Sequence, residues 1–182
     1  SLMKKTLVLF AHPALEQSRA NSALLERICD LDHVTIHDLY AEYPDFLINV
    51  DKEQALLEEH DRIVLQHPFF WYSSPAILKE WFDLVLEYGW AYGEEGQALK
   101  GKTVLTALTT GGGKTAYCSE GHNVYAIEEF LRPMEQTARL CHMKYEKPFV
   151  VYGSLALTAE ELAEAASEYR EILSTDPRID GV

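Results

Sequence analysis

The stretch Thr6-Leu7-Val8-Leu9-Phe10-Ala11-His12-Pro13-Ala14-Leu15-Glu16-Gln17-Ser18-Arg19-Ala20-Asn21 decides how the chain is read. Its first five residues are an unbroken apolar and β-branched run of strand length. A run without polar alternation marks a strand covered on both faces. After it, Ser18 stands as a helix cap ahead of a segment to Cys29 in which Ala20, Leu24, Leu25 and Ile28 recur at helical spacing. A buried strand leading into a capped amphipathic helix is the repeating unit of a parallel sheet.

Working outward, the same alternation continues to the C-terminus. Val34-Thr35-Ile36, Arg62 to Gln66, Thr103 to Leu108 and Phe149 to Tyr152 read as four more strands. Between them, Gln54 to His60 and Ala76 to Tyr88 read as helices, the latter with Ile77, Trp81 and Tyr88 along one stripe. Val124 to Cys141 is a longer helical stretch that Pro133 should kink or split, and Ala159 to Leu173 is a closing acidic helix. The expected architecture is α/β: a doubly wound, five-stranded parallel sheet of flavodoxin-like order 2-1-3-4-5 with helices on both faces. No repeat, low-complexity tract or linker divides the chain, so residues 3–182 are expected to form one domain. Ser1 and Leu2 precede a Met3 read as the initiator and are set aside as a remnant.

Composition narrows the partners. The chain has 182 residues, 47% of them hydrophobic and 25% charged, the balance of a globular protein. Its formal charge of -13 would repel nucleic acid and anionic lipid alike, so any phosphate must be held by local donors. No apolar run approaches the ~20 residues that span a bilayer, and the start is too soon polar for a signal peptide. Cytoplasmic location without membrane insertion is expected. Cys29, Cys118 and Cys141 have no CxxC spacing and read as reduced thiols, while His33, His37, His60 and His142 lack ligand spacing, so no metal is expected.

Doubly wound sheets bind ligands beyond the carboxyl ends of their strands. Three loops fall there. Ala11 to Asn21 leads into a helix N-terminus suited to phosphate, with Ser18 and Asn21 as side-chain donors, Arg19 as local positive charge and His12 alongside. His67-Pro68-Phe69-Phe70-Trp71-Tyr72-Ser73-Ser74-Pro75 offers an aromatic wall for a planar ring. Thr109-Thr110-Gly111-Gly112-Gly113-Lys114-Thr115-Ala116-Tyr117 lets backbone approach a flat ligand, with the Tyr117 hydroxyl within reach. Gly113-Lys114-Thr115 imitates a Walker A motif, but that pattern requires glycine where Leu108 stands, which excludes it. No GxGxxG occurs. Each loop alone is equally an ordinary cap, core roof or turn; their coincidence at one sheet edge carries the reading.

These loops, with Asp38-Leu39-Tyr40-Ala41-Glu42-Tyr43-Pro44-Asp45 and Pro75-Ala76-Ile77-Leu78-Lys79-Glu80-Trp81, make the chain resemble the NAD(P)H:quinone oxidoreductase (DT-diaphorase-like) family. The likeness runs from about Lys5 to Gly153 and is nearest to short bacterial members, including the ancillary oxidoreductases of the Kef potassium-efflux system. It implies a flavin whose ring lies against Pro68, Phe69, Phe70, Trp71, Tyr72 and Thr109, Thr110, Gly111, Gly112, with its phosphate near Ser18, Arg19 and Asn21. Tyr117 matches the family tyrosine at the hydride site. The family's partner histidine falls nearest His122, with Asn123 in the aligned position. The C-terminal extension that completes adenine binding in larger FAD-using members is missing, so FMN is expected over FAD. The implied reaction is two-electron, ping-pong hydride transfer from NAD(P)H through the flavin to a quinone-type acceptor.

Tyr88, Trp90 and Tyr92, among Gly89, Gly93 and Gly96, read by themselves as a loop folded on its own core; the resemblance implies a homodimer surface there, one subunit roofing the other's flavin. Two other readings stand beside the enzyme: a flavodoxin-type electron carrier and a regulatory ancillary subunit docked on a potassium-efflux antiporter in the membrane. No residue is clearly placed to meet a 2′-phosphate, and quinone, azo dye and nitroaromatic acceptors are equally open.

Overall fold

Every residue of β1 (Thr6–Phe10) is buried in the computed structural model, which describes Met3 to Ile179, because both faces of the strand carry helices. Ser1, Leu2 and the last three residues of the expected 3–182 domain lie outside the described residues. In parallel register, β2 (Val34–Asp38) and β3 (Arg62–Pro68) flank β1, and β4 (Thr103–Thr109) pairs with β3 along its whole length. With β5 (Lys144–Tyr145) outermost, the order β2-β1-β3-β4-β5 is the flavodoxin-like one.

The place beyond β4 is shared by two short strands. β5 (Lys144–Tyr145) pairs with Thr103 and Val104, and β6 (Phe149–Val151) with Ala107 to Thr109. The single fifth strand expected from the sequence is thus a broken one, and the sheet has six strands. Pro148 lies in the break, where it offers no N–H to a ladder.

One face is covered by α1 (Arg19–Ile28) and α7 (Ala159–Leu173). Their Leu24, Ile28, Ala166, Tyr169 and Leu173 pack on Val8, Phe10, Val64 and Leu105. The other carries the short α2 (Leu39–Glu42), α3 (Val50–Glu59), α4 (Ala76–Val85) and α6 (Arg132–Leu140), over Leu7, Leu9, Ile63 and Leu65.

Helix boundaries depart from the expected ones for local reasons. α3 begins at Val50, under an Asn49 side chain that accepts from the Lys52 amide, and so earlier than Gln54. α4 stops at Val85, since Leu86 leaves helical geometry at ψ 71°. The stretch after Val124 is split as Pro133 requires. α5 (Ile127–Phe130) ends, Leu131 turns, and Pro133 sits in the first turn of α6, where its missing N–H has no intrahelical partner to lose. Val124 itself has φ 66°, which keeps the helix from starting there.

At the amino end of β3, Arg62 and Glu146 form a buried two-pronged ion pair at 2.9 and 2.6 Å. The Arg62 Nη1 also donates to the carbonyls of Ile172 and Thr175, tying α7 to the sheet. Among the described residues no helix is long and apolar enough to cross a membrane.

Candidate functional site

The first loop ends on Ser18, whose Oγ accepts from the Asn21 amide N–H at 3.1 Å and starts α1. Asn21 is fully buried. Its Nδ2 donates to Ser18 Oγ at 3.2 Å and to Thr109 Oγ1 at 3.1 Å, while its Oδ1 accepts from Gln66 Nε2 at 3.2 Å. Asn21 therefore stands behind the loop and joins it to β3 and β4. Arg19 is exposed, with Nη1 and Nη2 each 3.4 Å from the Leu157 carbonyl. His12 accepts the Ala14 N–H on Nδ1 at 3.0 Å, which requires the unprotonated nitrogen, and burial lowers its pKa against the pull of Glu16. Its ring meets Phe70 edge-on at 6.0 Å and so joins the first loop to the second.

In the second loop, the Phe69 N–H donates to the Thr109 carbonyl at 2.8 Å, pinning Pro68 and Phe69 beside β4. Beyond that anchor the backbone turns sharply. Trp71 and Tyr72 both take positive φ, 49° and 61°, a region that disfavours bulky side chains by roughly 1–2 kcal/mol per residue. Strain of this kind holds two large rings outward, and Trp71 is 90% exposed.

The third loop is held from below: the Thr110 N–H donates to Val151, its hydroxyl to the Gly112 carbonyl, and the Gly153 N–H to Gly112. Gly112 lies against Tyr117, and a Cβ there would stand 3.3 Å from the phenol ring and hydroxyl. Gly111 has open space where a side chain would be. Tyr117 is nearly buried against Phe69 and Tyr152, and burial raises its pKa, partly offset by the Thr110 side chain.

The fold thus brings Phe69, Trp71, Tyr72, Gly111, Gly112, Tyr117 and His122 around one open cavity of about 320 Å³. Ser18, Arg19 and His12 stand on the neighbouring first loop, and Pro68 and Thr109 form the paired strand ends between them. Asn123 also lines the cavity, where its Oδ1 accepts the Tyr72 hydroxyl at 3.2 Å. The resemblance had already put Asn123 in the position of the family's partner histidine. Gln66 and Tyr169, which support Asn21, carry no sequence signal for this role.

Fold and site together define a flavodoxin-like protein with an open aromatic cavity at the carboxyl ends of β3 and β4. The chain matches the family described as having the flavodoxin-like fold over residues 4–173, and it belongs to that family. It is 47% identical over 171 residues to the glutathione-regulated potassium-efflux system ancillary protein KefG of Yersinia enterocolitica, covering 94% of this chain and 93% of that one. The crystal structure of general stress protein 14 from Treponema denticola, in complex with FMN, superposes with a TM-score of 0.89 at 38% identity, covering 93% of this chain and 98% of that one. An NADPH-quinone reductase from P. pentosaceus does so at 0.87 and 31%, covering 94% and 99%.

Proposed function

We propose that this chain is a flavin-dependent NAD(P)H:acceptor oxidoreductase that holds FMN and reduces quinone-type compounds. The observation that carries the reading is the cavity itself. Gly111 and Gly112 line it together with Trp71, Tyr72, Tyr117 and His122. These residues fit a flavin, because a planar ring can rest directly on backbone where Gly111 leaves open space. The N-terminus of the ten-residue helix α1 suits a monophosphate. The FMN complex and the NADPH-quinone reductase among its relatives support the same assignment.

Ser18 and Arg19 would meet the phosphate, with Asn21 acting from behind. Pro68 to Tyr72 and Thr109 to Gly112 would border the ring, and His12 would stand at the junction through Phe70. When bound, FMN supplies two-electron hydride chemistry between NAD(P)H and the acceptor. A single cavity admits nicotinamide and acceptor only in turn, hence ping-pong kinetics. Burial keeps the Tyr117 phenol protonated, so it offers an O–H donor to negative charge arising in the cavity. Tyr88, 75% exposed and edge-on to Tyr92, is proposed as the centre of a homodimer surface.

The purified protein should be yellow, release FMN on heating, and oxidise NAD(P)H faster when a quinone is added. Stoichiometric FAD by mass spectrometry would overturn the cofactor, and oxidation indifferent to quinone would overturn the activity. The KefG relative favours a second, compatible role as a cytoplasmic ancillary subunit of a potassium-efflux antiporter. Potassium efflux from cells carrying the antiporter, with and without this chain, tests it. An electron carrier of the flavodoxin type would need neither the cavity nor Tyr117.

A further inference from the structure

We propose that Tyr169, Gln66 and Asn21 form a one-way hydrogen-bond relay that obliges the Ser18 hydroxyl to donate to the FMN phosphate. The inference rests on the functional reading above and names positioning residues for it. Gln66, Asn21 and Tyr169 are all fully buried. The Tyr169 hydroxyl donates to Gln66 Oε1 at 2.9 Å, and Gln66 Nε2 donates to Asn21 Oδ1 at 3.2 Å. Asn21 Nδ2 then spends its two hydrogens on Ser18 Oγ and Thr109 Oγ1.

The consequence falls on Ser18. Its oxygen already accepts from Asn21 twice, from the backbone N–H and from Nδ2. A hydroxyl has two acceptor positions and one hydrogen, so what remains is the hydrogen, turned away from the relay. Phosphate oxygens accept and cannot donate when ionised, and this is the group such a hydroxyl selects. Were both amides reversed, Asn21 Oδ1 would face Ser18 and take that hydrogen inward. The direction is set at the far end, where a phenol, more acidic than an alcohol, favours donating. Tyr169 on α7 thus controls a proton on the first loop without touching the ligand.

The test separates phosphate from ring. Full-length protein stripped of flavin is titrated with FMN and with riboflavin, following flavin fluorescence. The ratio of the two affinities reports the phosphate contacts alone. Tyr169→Phe keeps the ring stacked on Phe149, 5.2 Å between centroids, and removes only the hydroxyl. It should reduce the FMN preference about threefold to tenfold, leave riboflavin affinity unchanged, and move the ³¹P signal of bound FMN. In a Ser18→Ala background the same change should have no effect on the preference, because the relay would have nothing to direct. If Tyr169→Phe does not fold, Gln66→Met takes its place in the same cycle. A preference unaltered by Tyr169→Phe, or altered equally with and without Ser18, overturns the relay. Equal affinity of the wild type for FMN and riboflavin overturns the phosphate reading itself.

Discussion

The two ends of β3 solve the problem of buried polarity in opposite ways. At the amino end, Arg62 and Glu146 neutralise each other, and both Nη1 hydrogens go to the carbonyls of Ile172 and Thr175. Four of the five guanidinium hydrogens are thereby bonded, and every one of these bonds ties protein to protein. At the carboxyl end, Gln66 belongs to a neutral chain of donors that finishes on Ser18 with a hydrogen unassigned. Polarity turned wholly on the protein makes a clamp, whereas a chain of donors that ends on an outward hydroxyl hydrogen makes a binding edge. Substitutions at the first end should therefore act on stability, and those along the Ser18 chain and the cavity at the second on ligand and rate.

The largest effect should come from the amino end. Glu146→Ala leaves Arg62 charged, buried and half-partnered, which typically removes about 3–5 kcal/mol of stability. Urea unfolding should show that loss, while the surviving folded protein keeps its FMN affinity. A loss below about 1 kcal/mol would break the contrast.

His67 sharpens it, as a titratable group buried at the carboxyl end. Its Nδ1 donates to the Pro68 carbonyl at 2.8 Å, Nε2 has no partner among the described residues, and burial lowers its pKa to about 4. The folded pKa lies below the ordinary histidine value of 6.5, so the unfolded chain binds the proton more readily between those values. Stability should hold above pH 6.5, fall as pH drops towards 4, and then level off, by on the order of 3 kcal/mol. His67→Phe should flatten this slope in denaturation midpoints taken across the range. An unchanged slope would assign it to other groups.

At the cavity, Tyr117→Phe removes one hydrogen bond to developing charge, so stopped-flow reduction by NAD(P)H should slow by roughly ten- to hundredfold. Melting temperature and flavin content should stay put. A rate within about twofold of wild type would leave Tyr117 as a wall only. Arg19→Ala should be mildest, because Arg19 is exposed and screened: about fivefold weaker FMN retention at low salt, vanishing at high salt. Loss of retention that persists at high salt would mean Arg19 acts by packing.

The layers were legible because the strands carry unbroken apolar runs, and the three loops because they follow strands whose ends such sheets use. Other features had no local pattern to betray them. Lys144–Tyr145 is too short to stand out as a strand. The start of α3 was hidden because Glu53, a charged residue, occupies a core position, where it accepts from His37, Tyr43 and Trp81. Gln66 sits in a strand and Tyr169 in a charge-rich helix. Only the fold brings them together across 103 residues.

The broken outer position beyond β4 has a bearing on solubility. A sheet margin lined with free N–H and C=O groups can template strands from other molecules, and long, flat, apolar margins do so most readily. Here that margin consists of two pieces, of two and three residues, with a proline between them, too interrupted to seed a ladder. The opposite margin, β2, is longer, but it carries His37 and Asp38 at its end. The gap between the two pieces is itself covered, since Glu146 bridges Ile179 and the Lys147 N–H donates to the Arg178 carbonyl.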